Sequence, residues 1–284
     1  MTGGPRSLTV FTHTRPADTE VALRRVGELA AEAGVEVRLP QAEQEKFGAI
    51  PGVSQAPHPP TDTDLALVLG GDGTILTALR EFAGTGVPVF AINYGAIGFL
   101  ATIEPWELEE GLRRALRGEF DLMALPGLIA ETADGDRLAM NDVSLHRRQD
   151  GRVAELAYSV EGEQLGEVRC DGLVVATPAG STGYNLANGG PVLAWGVEGF
   201  VVSFIAPHTL TARSLVVAPG DTLQVTNRSP SEEVEVSTDA RPVCALAPEA
   251  TMRIRFAHQQ SLLAQTPGAS FYQRLRDKFG RLSH

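Results

Sequence analysis

Three stretches of the sequence carry residues that could do chemistry, and the first centres on a carboxylate within a glycine loop. Asp72 stands between Gly71 and Gly73 in the segment Gly70–Thr74, directly after the apolar run Leu65–Leu69. Glycines there permit positive φ and let a ligand approach the main chain closely. The N–H groups at the start of a following helix attract anions, phosphate first. Because a carboxylate repels phosphate, Asp72 either faces the group that attacks phosphorus, holds a metal, or caps the helix.

The second stretch places an amide beside a carboxylate at the entrance to an apolar strand. Asn141 and Asp142 precede the run Val143–Leu145. A carboxylate can accept hydrogen bonds from both hydroxyls of a ribose, and an amide both donates and accepts. The alternative is an ordinary turn before a strand, which the Asn-Asp pair favours.

The third stretch is a loop of small and hydroxyl residues after the buried run Leu173–Thr177. Ser181 and Thr182 can bind phosphate or cap a helix beginning near Gly183. Tyr184 could pack on a base or a ribose. His208 also follows an apolar run, and a histidine at a strand end favours a structural role.

Several familiar site motifs are absent from the sequence. It contains neither the P-loop pattern G-x-x-x-x-G-K-[ST] nor a strand followed by G-x-G-x-x-G with a downstream acid. The segment Gly180–Gly183 does not fit the nucleophile elbow G-x-S-x-G, which argues against a hydrolase. Any phosphate loop here therefore works differently, with Asp72 supplying something that a P-loop lacks.

Composition bounds the possible partners and setting. The chain has 284 residues and a net charge of −11, which argues against nucleic acid or an acidic membrane as a partner. Cys170 and Cys244 lack metal-ligand spacing and are too few for a disulfide scaffold, so we expect a reducing, cytoplasmic setting. No apolar run reaches about 18 residues, and the N-terminus lacks the apolar core of a signal peptide.

Strand and helix patterns alternate in the N-terminal part, which predicts a Rossmann-like α/β domain over residues 1–119. We expect residues 40–61, which are rich in proline, to form an irregular loop. The predicted strands are Leu8–Phe11, Val35–Leu39, Leu65–Leu69 and Val87–Ile92. The predicted helices begin at Asp18 or Thr19, after Asp72 and at Pro105, and the first has the apolar stripe Ala22, Val26, Leu29 and Ala33.

From Phe120 onward, short β-rich runs alternate with turn signals, which predicts an all-β, sandwich-like domain over residues 120–269. The tail 270–284 is predicted as a helix that packs back on one of the domains. Its apolar stripe is Phe271, Leu275, Phe279 and Leu282.

The order and spacing of these stretches resemble the NAD kinase family. The motifs are GGDGT, then N-D-V, then DGLVVATPAGSTGYNLANGGPV, and the likeness continues through VSFIAPHTLTARSLVV and FYQRL. It covers most of the chain from Leu65 onward. The GGDGT loop alone is weak, because diacylglycerol, sphingosine and phosphofructokinase families use similar loops.

The resemblance implies an enzyme that transfers a phosphoryl group to the 2′-hydroxyl of the adenosine ribose of NAD, giving NADP. It implies an α/β domain and a β-sandwich domain, ATP or polyphosphate as the donor, and a divalent cation for which Mg²⁺ is the expected ion. It also implies a homo-oligomer, a dimer or tetramer. Two other functions stay open: a lipid or sugar kinase that shares only the GGDGT loop, and a non-catalytic NAD-binding regulator.

The resemblance also implies roles for individual residues. Asp72 is the expected general base. The expected substrate contacts are Gly71, Gly73, Phe99, Asn141, Asp142, Arg169, Asp171, Thr182, Gly183, Tyr184, Ala187 and Arg241. Ala179 and Ala187 stand where the family usually has Thr and Ser, and Arg241 replaces a frequent Gln. The Arg241 cation could alter the contact with NAD and the preference between NAD and NADH.

Overall fold

The computed structural model describes residues 4–56, 62–96, 98–148 and 151–280. The chain divides into two compact units. The first comprises the chain up to Ala124 together with the chain from Ser261 onward, and the second is Leu125–Gln260. The domain bounds predicted from the sequence stay a prediction.

The helices and strands follow one another as below. The first part has β1 (Ser7–Thr12), α1 (Glu20–Glu32), β2 (Glu36–Leu39), α2 (Gln41–Phe47), β3 (Val53–Gln55), β4 (Leu65–Gly70), α3 (Asp72–Glu81), β5 (Pro88–Asn93) and α4 (Leu108–Leu116). Next come β6 (Asp121–Thr132), β7 (Gly135–Ala139), β8 (Asp142–Arg147), β9 (Ala154–Val160), β10 (Glu163–Cys170), β11 (Gly172–Ala176) and α5 (Tyr184–Ala187). The chain continues through β12 (Phe200–Ile205), β13 (Leu215–Val217), β14 (Thr222–Asn227), β15 (Val234–Thr238), β16 (Arg241–Leu246), β17 (Thr251–Gln265) and α6 (Phe271–Phe279).

The first unit is built on a parallel sheet in the order β3-β2-β1-β4-β5, with Leu262 and Leu263 at the end of β17 beside β5. The run Leu65–Leu69 of β4 has no solvent exposure. The prediction of a strand buried on both faces is therefore confirmed. Its carboxyl end delivers the glycine loop.

Helix α1 packs on this sheet through the apolar stripe that its 3.6-residue period predicts. Leu23, Val26 and Leu29 are buried. The predicted stripe also includes Ala33, but this residue is exposed, so that part of the prediction is wrong. The helix ends at Glu32, and Gly34 takes a φ of +69° that turns the chain away.

The prediction of an irregular loop over residues 40–61 is wrong at two places, because the stretch contains α2 and β3. Pro40 lies at the N-cap of α2, where a proline removes no helical hydrogen bond. The Glu43 carboxylate of α2 accepts hydrogen bonds from the backbone N–H (3.0 Å) and hydroxyl (2.5 Å) of Thr12. That long-range tie has no local sequence signal. Residues 57–61 lie outside the described part.

The second unit contains two antiparallel sheets, and the prediction of a β-sandwich is confirmed. One sheet has the order β13-β12-β11-β8-β15-β16, and the other includes β10-β9-β14-β17. Residues of both sheets form one buried core, including Val143, Leu173 and Val236 from the first and Leu156 and Ile254 from the second. In the described part of the chain, no helix is both long enough and apolar enough to cross a bilayer.

Candidate active site

The glycines of the GGDGT loop provide space rather than an unusual backbone conformation. Gly71 is the N-cap of α3 with φ −92°, and Gly70 and Gly73 also lack positive φ, so the loop does not use the positive φ that glycine permits. A Cβ on Gly71 would lie 2.9 Å from the Cα of Gly95, and one on Gly70 would lie 2.7 Å from the Cβ of Thr74. A Cβ on Gly73 would meet nothing within 4 Å in the described structure. The loop is thus tight at its base and open at Gly73.

Asp72 is the first residue of α3, and its carboxylate binds a neighbouring loop. One oxygen accepts a hydrogen bond from the Phe99 N–H at 3.0 Å, and the other accepts one from the Leu100 N–H at 2.9 Å. The side chain therefore joins the helix start to the loop after β5 instead of capping its own helix. Two donors, one to each oxygen, fix the plane of the carboxylate.

The loop after β5 is itself held by Asn93, which is buried. The Asn93 side-chain oxygen accepts a hydrogen bond from the Gly95 N–H at 3.0 Å, and its Nδ2 donates to Glu104 at 3.0 Å. Gly98 takes φ +64°, and a Cβ there would lie 2.2 Å from the Asn93 Nδ2. The backbone that presents the two N–H groups to Asp72 is therefore tightly packed.

In the second unit, the Asn141-Asp142 segment is anchored by the carboxylate of Asp239, a residue that is not among the site residues predicted from the sequence. Asp239 accepts hydrogen bonds from the backbone N–H groups of Met140 (3.0 Å), Asn141 (2.7 Å) and Asp142 (3.2 Å). The chain is bent to allow this, since Asp239 and Ala240 have φ values of +45° and +61°. The available sequence signal is the Asp239-Ala240-Arg241 segment, in which the resemblance assigns a binding role only to the arginine.

Asn141 presents an acceptor with no partner. Its side-chain Oδ1 is buried and makes no hydrogen bond in the described structure. A buried acceptor of this kind normally has a partner. This geometry supports a ligand donor, such as a hydroxyl or amino group, at that position.

Asp142 is 7% exposed, and this burial raises the pKa of its carboxyl to about 7, with a further rise from the negative charge of Asp239. The native state therefore holds the Asp142 proton more tightly than the unfolded chain does. This contribution to stability is present at low pH and is lost as pH rises through about 7.

Asp142→Asn should consequently become more stable relative to wild type as pH rises. Between pH 5 and pH 8 we expect its advantage in free energy of unfolding to grow by about 1–3 kcal/mol. Urea unfolding at both pH values measures this. Asp134→Asn, in the exposed turn between β6 and β7, is the control and should show no such growth. A constant difference between Asp142→Asn and wild type would contradict the raised pKa.

Gly180 fixes how closely the third stretch approaches Asn141. A Cβ on Gly180 would lie 2.1 Å from the Asn141 carbonyl oxygen, whereas one on Gly183 would lie 3.8 Å from the Asn141 Nδ2. The Gly180 contact is between two backbones, so no side-chain rotation can relieve it. The predicted residues Asn141 and Gly183 are thus brought together.

Gly180→Ala should therefore lower the free energy of unfolding by about 2–3 kcal/mol through overpacking. It should also weaken nucleotide binding, since Asn141 must move. Gly196→Ala is a matched control, because a Cβ there meets nothing within 4 Å in the described structure. Urea unfolding measures the stability of both variants. Equal urea midpoints for Gly180→Ala and Gly196→Ala would contradict the predicted overpacking at Gly180.

Tyr184 lies at the start of α5 and stacks on a histidine of β8. The Tyr184 and His146 ring centroids are 5.5 Å apart with an interplanar angle of 20°. Burial raises the pKa of the Tyr184 phenol, and the charges of Asp142 and Asp171 add to the rise. Tyr184 is thus close to two of the predicted binding residues. The Thr182 hydroxyl donates to the Ala179 carbonyl at 3.1 Å.

The remaining predicted contacts are more exposed. The Arg169 side chain is 66% exposed and pairs with Glu155 at 3.2 Å, while Asp171 pairs with Arg147 at 2.7 Å. Ala187 ends α5 and Arg241 begins β16, and both are exposed. Their roles in binding stay predictions.

The charged side chains fit a metal that arrives with a phosphate ligand. Within the described ranges, no three or more His, Cys, Asp or Glu side chains are grouped as a metal site. Mg²⁺ bound through nucleotide phosphates needs only one or two carboxylates, because it keeps several waters. An ion held in this way therefore does not require a cluster of protein ligands.

Comparison with known proteins agrees with this geometry. The family model for the ATP-NAD kinase N-terminal domain matches residues 19–120, and that for the ATP-NAD kinase C-terminal domain matches residues 140–266. An NAD kinase of Gemmatimonas aurantiaca is 36% identical over 230 residues, which is 78% of each chain.

Two solved structures share the fold. Yeast NADH kinase complexed with NADH has a TM-score of 0.87 and 22% identity, covering 99% of this chain and 89% of the yeast one. An NAD kinase from Archaeoglobus fulgidus in complex with ATP has a TM-score of 0.76 and 25% identity, covering 96% of this chain and 97% of the archaeal one.

A parallel α/β unit with a GGDGT loop, joined to an antiparallel sandwich with N-D-V and TPAGSTGY motifs, defines a two-domain kinase. The matched family models and relatives also identify the kinase family. The chain belongs to the NAD kinase family. The family and enzyme class predicted from the sequence are therefore confirmed.

Proposed function

We propose that this protein transfers the terminal phosphoryl group of ATP to the 2′-hydroxyl of the adenosine ribose of NAD, giving NADP and ADP. The observation that carries the proposal is the placement of Asp72. Asp72 lies at the start of α3, in the loop that the family shares, and its carboxylate is oriented by the backbone N–H groups of Phe99 and Leu100.

The proposed reaction forms one bond and breaks one. The 2′-oxygen bonds to the γ-phosphorus, the bond from that phosphorus to the β,γ-bridging oxygen breaks, and the hydroxyl proton passes to Asp72. Phosphoryl transfer has a loose, highly charged transition state, so positioning and electrostatics dominate. The main effect of Asp72 is to align the nucleophile, where oriented attack is worth roughly 7–11 kcal/mol in total.

The second unit supplies the proposed recognition of the dinucleotide. The unpartnered Asn141 Oδ1 and the buried Asp142 carboxyl are the groups that hydroxyl or amino donors would meet. Tyr184, stacked on His146, offers a flat apolar surface for a base or ribose. Arg169, Asp171, Thr182 and Gly183 are proposed as further contacts on the basis of their motif positions.

The donor and the cation complete the proposal. The archaeal relative was solved with ATP, which favours ATP over polyphosphate as the donor. Mg²⁺ would neutralise charge on the donor phosphates. We also propose a homo-oligomer, a dimer or tetramer, in the cytoplasm. Light scattering of the purified protein tests the assembly, and a monomeric mass would contradict it.

A matrix of donors and acceptors tests the proposed reaction directly. NAD and NADH are each combined with ATP or polyphosphate, with Mg²⁺ or with EDTA, and NADP(H) formation is measured. We expect product from NAD with ATP and Mg²⁺ and its loss with EDTA. Phosphorylation of a lipid or sugar, or NAD binding without turnover, would contradict the proposal.

A further inference from the structure

Helix α6 presents one face to the loop that binds Asp72. Phe271, Arg274, Lys278 and Phe279 are spaced at i, i+3, i+7 and i+8, which places them on the same side of the helix. The Phe99 ring lies between the two aromatic residues, with centroid distances of 5.9 Å to Phe271 and 5.6 Å to Phe279. Helix α6 therefore packs against the loop after β5 through the Phe99 side chain.

Arg274 binds the backbone of the same loop. Its Nη1 donates to the carbonyl oxygens of Phe99, at 2.9 Å, and of Ala101. Its Nη2 donates to Gln265 Oε1 at 2.5 Å, at the end of β17. A planar guanidinium holds several acceptors in fixed directions, which a lysine ammonium does not.

The guanidinium and Asp72 bind the same short stretch of backbone. Arg274 donates hydrogen bonds to the carbonyls of residues 99 and 101, and Asp72 accepts hydrogen bonds from the N–H groups of Phe99 and Leu100. Any shift or rotation of these peptides that follows the loss of Arg274 must move the two donors that orient the carboxylate.

Electrostatics agree with this geometry. Burial lowers the pKa of Arg274, and the negative charges of Asp72 and Glu104 oppose that shift. Glu104 is itself paired with Lys278 of α6 and accepts from Asn93 at 3.0 Å. The face of α6 thus places Arg274 against the Phe99–Ala101 backbone and Lys278 against Glu104.

We propose that Arg274 is a positioning residue for phosphoryl transfer, holding the Phe99–Ala101 backbone so that its N–H groups orient the Asp72 carboxylate. This inference rests on the proposed function, in which Asp72 aligns the 2′-hydroxyl. Arg274 acts through the loop and needs no contact with either substrate.

Arg274→Met should keep the apolar part of the side chain and lose the hydrogen bonds. We expect kcat to fall by about 10- to 100-fold, because small misplacement of a reacting group is that costly, while KM for NAD stays within about threefold. Arg274→Lys should be intermediate. Arg276→Met is the matched control on the same helix, since the Arg276 side chain is 65% exposed, and its kcat should equal wild type.

Two readouts separate positioning from a general loss of structure. Amide hydrogen exchange at Phe99 and Leu100 should accelerate in Arg274→Met but not in Arg276→Met. Added methylguanidinium should restore part of the kcat of Arg274→Ala. Unchanged amide exchange at Phe99 and Leu100, or an unchanged kcat, in Arg274→Met would overturn the proposal. So would a lower kcat accompanied by a similarly raised KM and a lower melting temperature, with no rescue by methylguanidinium.

The proposed function can fail separately. If the wild-type protein forms no NADP under any condition of the donor matrix, the proposed reaction is wrong. The exchange measurement still reports whether Arg274 holds the two N–H groups, because it requires no turnover.

Discussion

Asp72→Asn is expected to lower kcat for NADP formation by about 10²–10⁴-fold, the range for loss of a positioned acid–base group. The affinity for NAD should stay within about threefold of wild type, since the change affects the transition state more than the ground state. Steady-state kinetics combined with calorimetric titration of NAD measures both quantities. Near-wild-type turnover would remove Asp72 from the proposed catalytic role.

The physical reason lies in what the carboxylate does in the folded protein. Its two oxygens accept hydrogen bonds from Phe99 and Leu100, which orient it at the open side of the glycine loop. An asparagine keeps one acceptor and turns an NH₂ group toward the other N–H. We therefore also expect a loss of about 1–3 kcal/mol in the free energy of unfolding.

Asp72→Glu is the control for this stability loss. It retains both acceptors and the charge but moves the carboxylate by one methylene. Its kcat should lie between those of wild type and Asp72→Asn. If both variants were equally inactive and equally destabilised, the loss of activity would reflect folding rather than chemistry.

Asp239→Asn is expected to have the second large effect, on stability and on nucleotide binding together. The Asp239 carboxylate accepts three backbone N–H groups, from Met140, Asn141 and Asp142. Hydrogen bonds to a charged group contribute about 1.5–3 kcal/mol each, and orphaned donors add a penalty. We expect the free energy of unfolding to fall by about 3–5 kcal/mol. Urea unfolding gives this value.

Binding should weaken in the same variant, because the Asn141-Asp142 segment loses the group that fixes its backbone. A tenfold to hundredfold rise in the Kd for NAD, or about 1.4–2.8 kcal/mol, is expected by calorimetry. Removing the Asp239 charge should also lower the pKa of Asp142. Burial is the larger cause of that raised pKa, so most of the shift should remain.

Ala240→Gly is the matched control, since it alters the adjacent turn residue and leaves the carboxylate intact. Ala240 has φ +61°, which glycine adopts more easily. The variant should be neutral or more stable by up to about 1 kcal/mol, with unchanged NAD affinity. A loss similar to that of Asp239→Asn would assign the effect to the turn conformation instead of the carboxylate.

The sequence predicts the parts of this molecule whose determinants are local. The apolar run Leu65–Leu69 followed by a glycine loop predicts the buried strand and helix start, and the structure contains both. The alternation of strands and helices, followed by short β runs, predicts the two kinds of fold. Spacing along the chain is enough for these features because each element buries one run or one stripe.

The features that the sequence did not reveal depend on contacts between distant residues. Asp239 binds backbone groups 97 to 99 positions away, and Arg274 binds Phe99 across 175 positions. Helix α2 lies in a proline-rich stretch that predicts a loop. Its Glu43 side chain binds Thr12, which is also distant from it in the sequence. Residue type alone does not tell such carboxylates and guanidinium groups from ordinary surface charges.

A crystal structure with NAD bound tests the central claim most directly. The distance to measure is that between the 2′-oxygen of the adenosine ribose and the nearer Asp72 carboxylate oxygen. We predict a hydrogen bond, at about 2.6–3.2 Å, or a link through one water. An adenosine ribose bound away from Asp72, in a complex that still turns over in the crystal, would contradict the account.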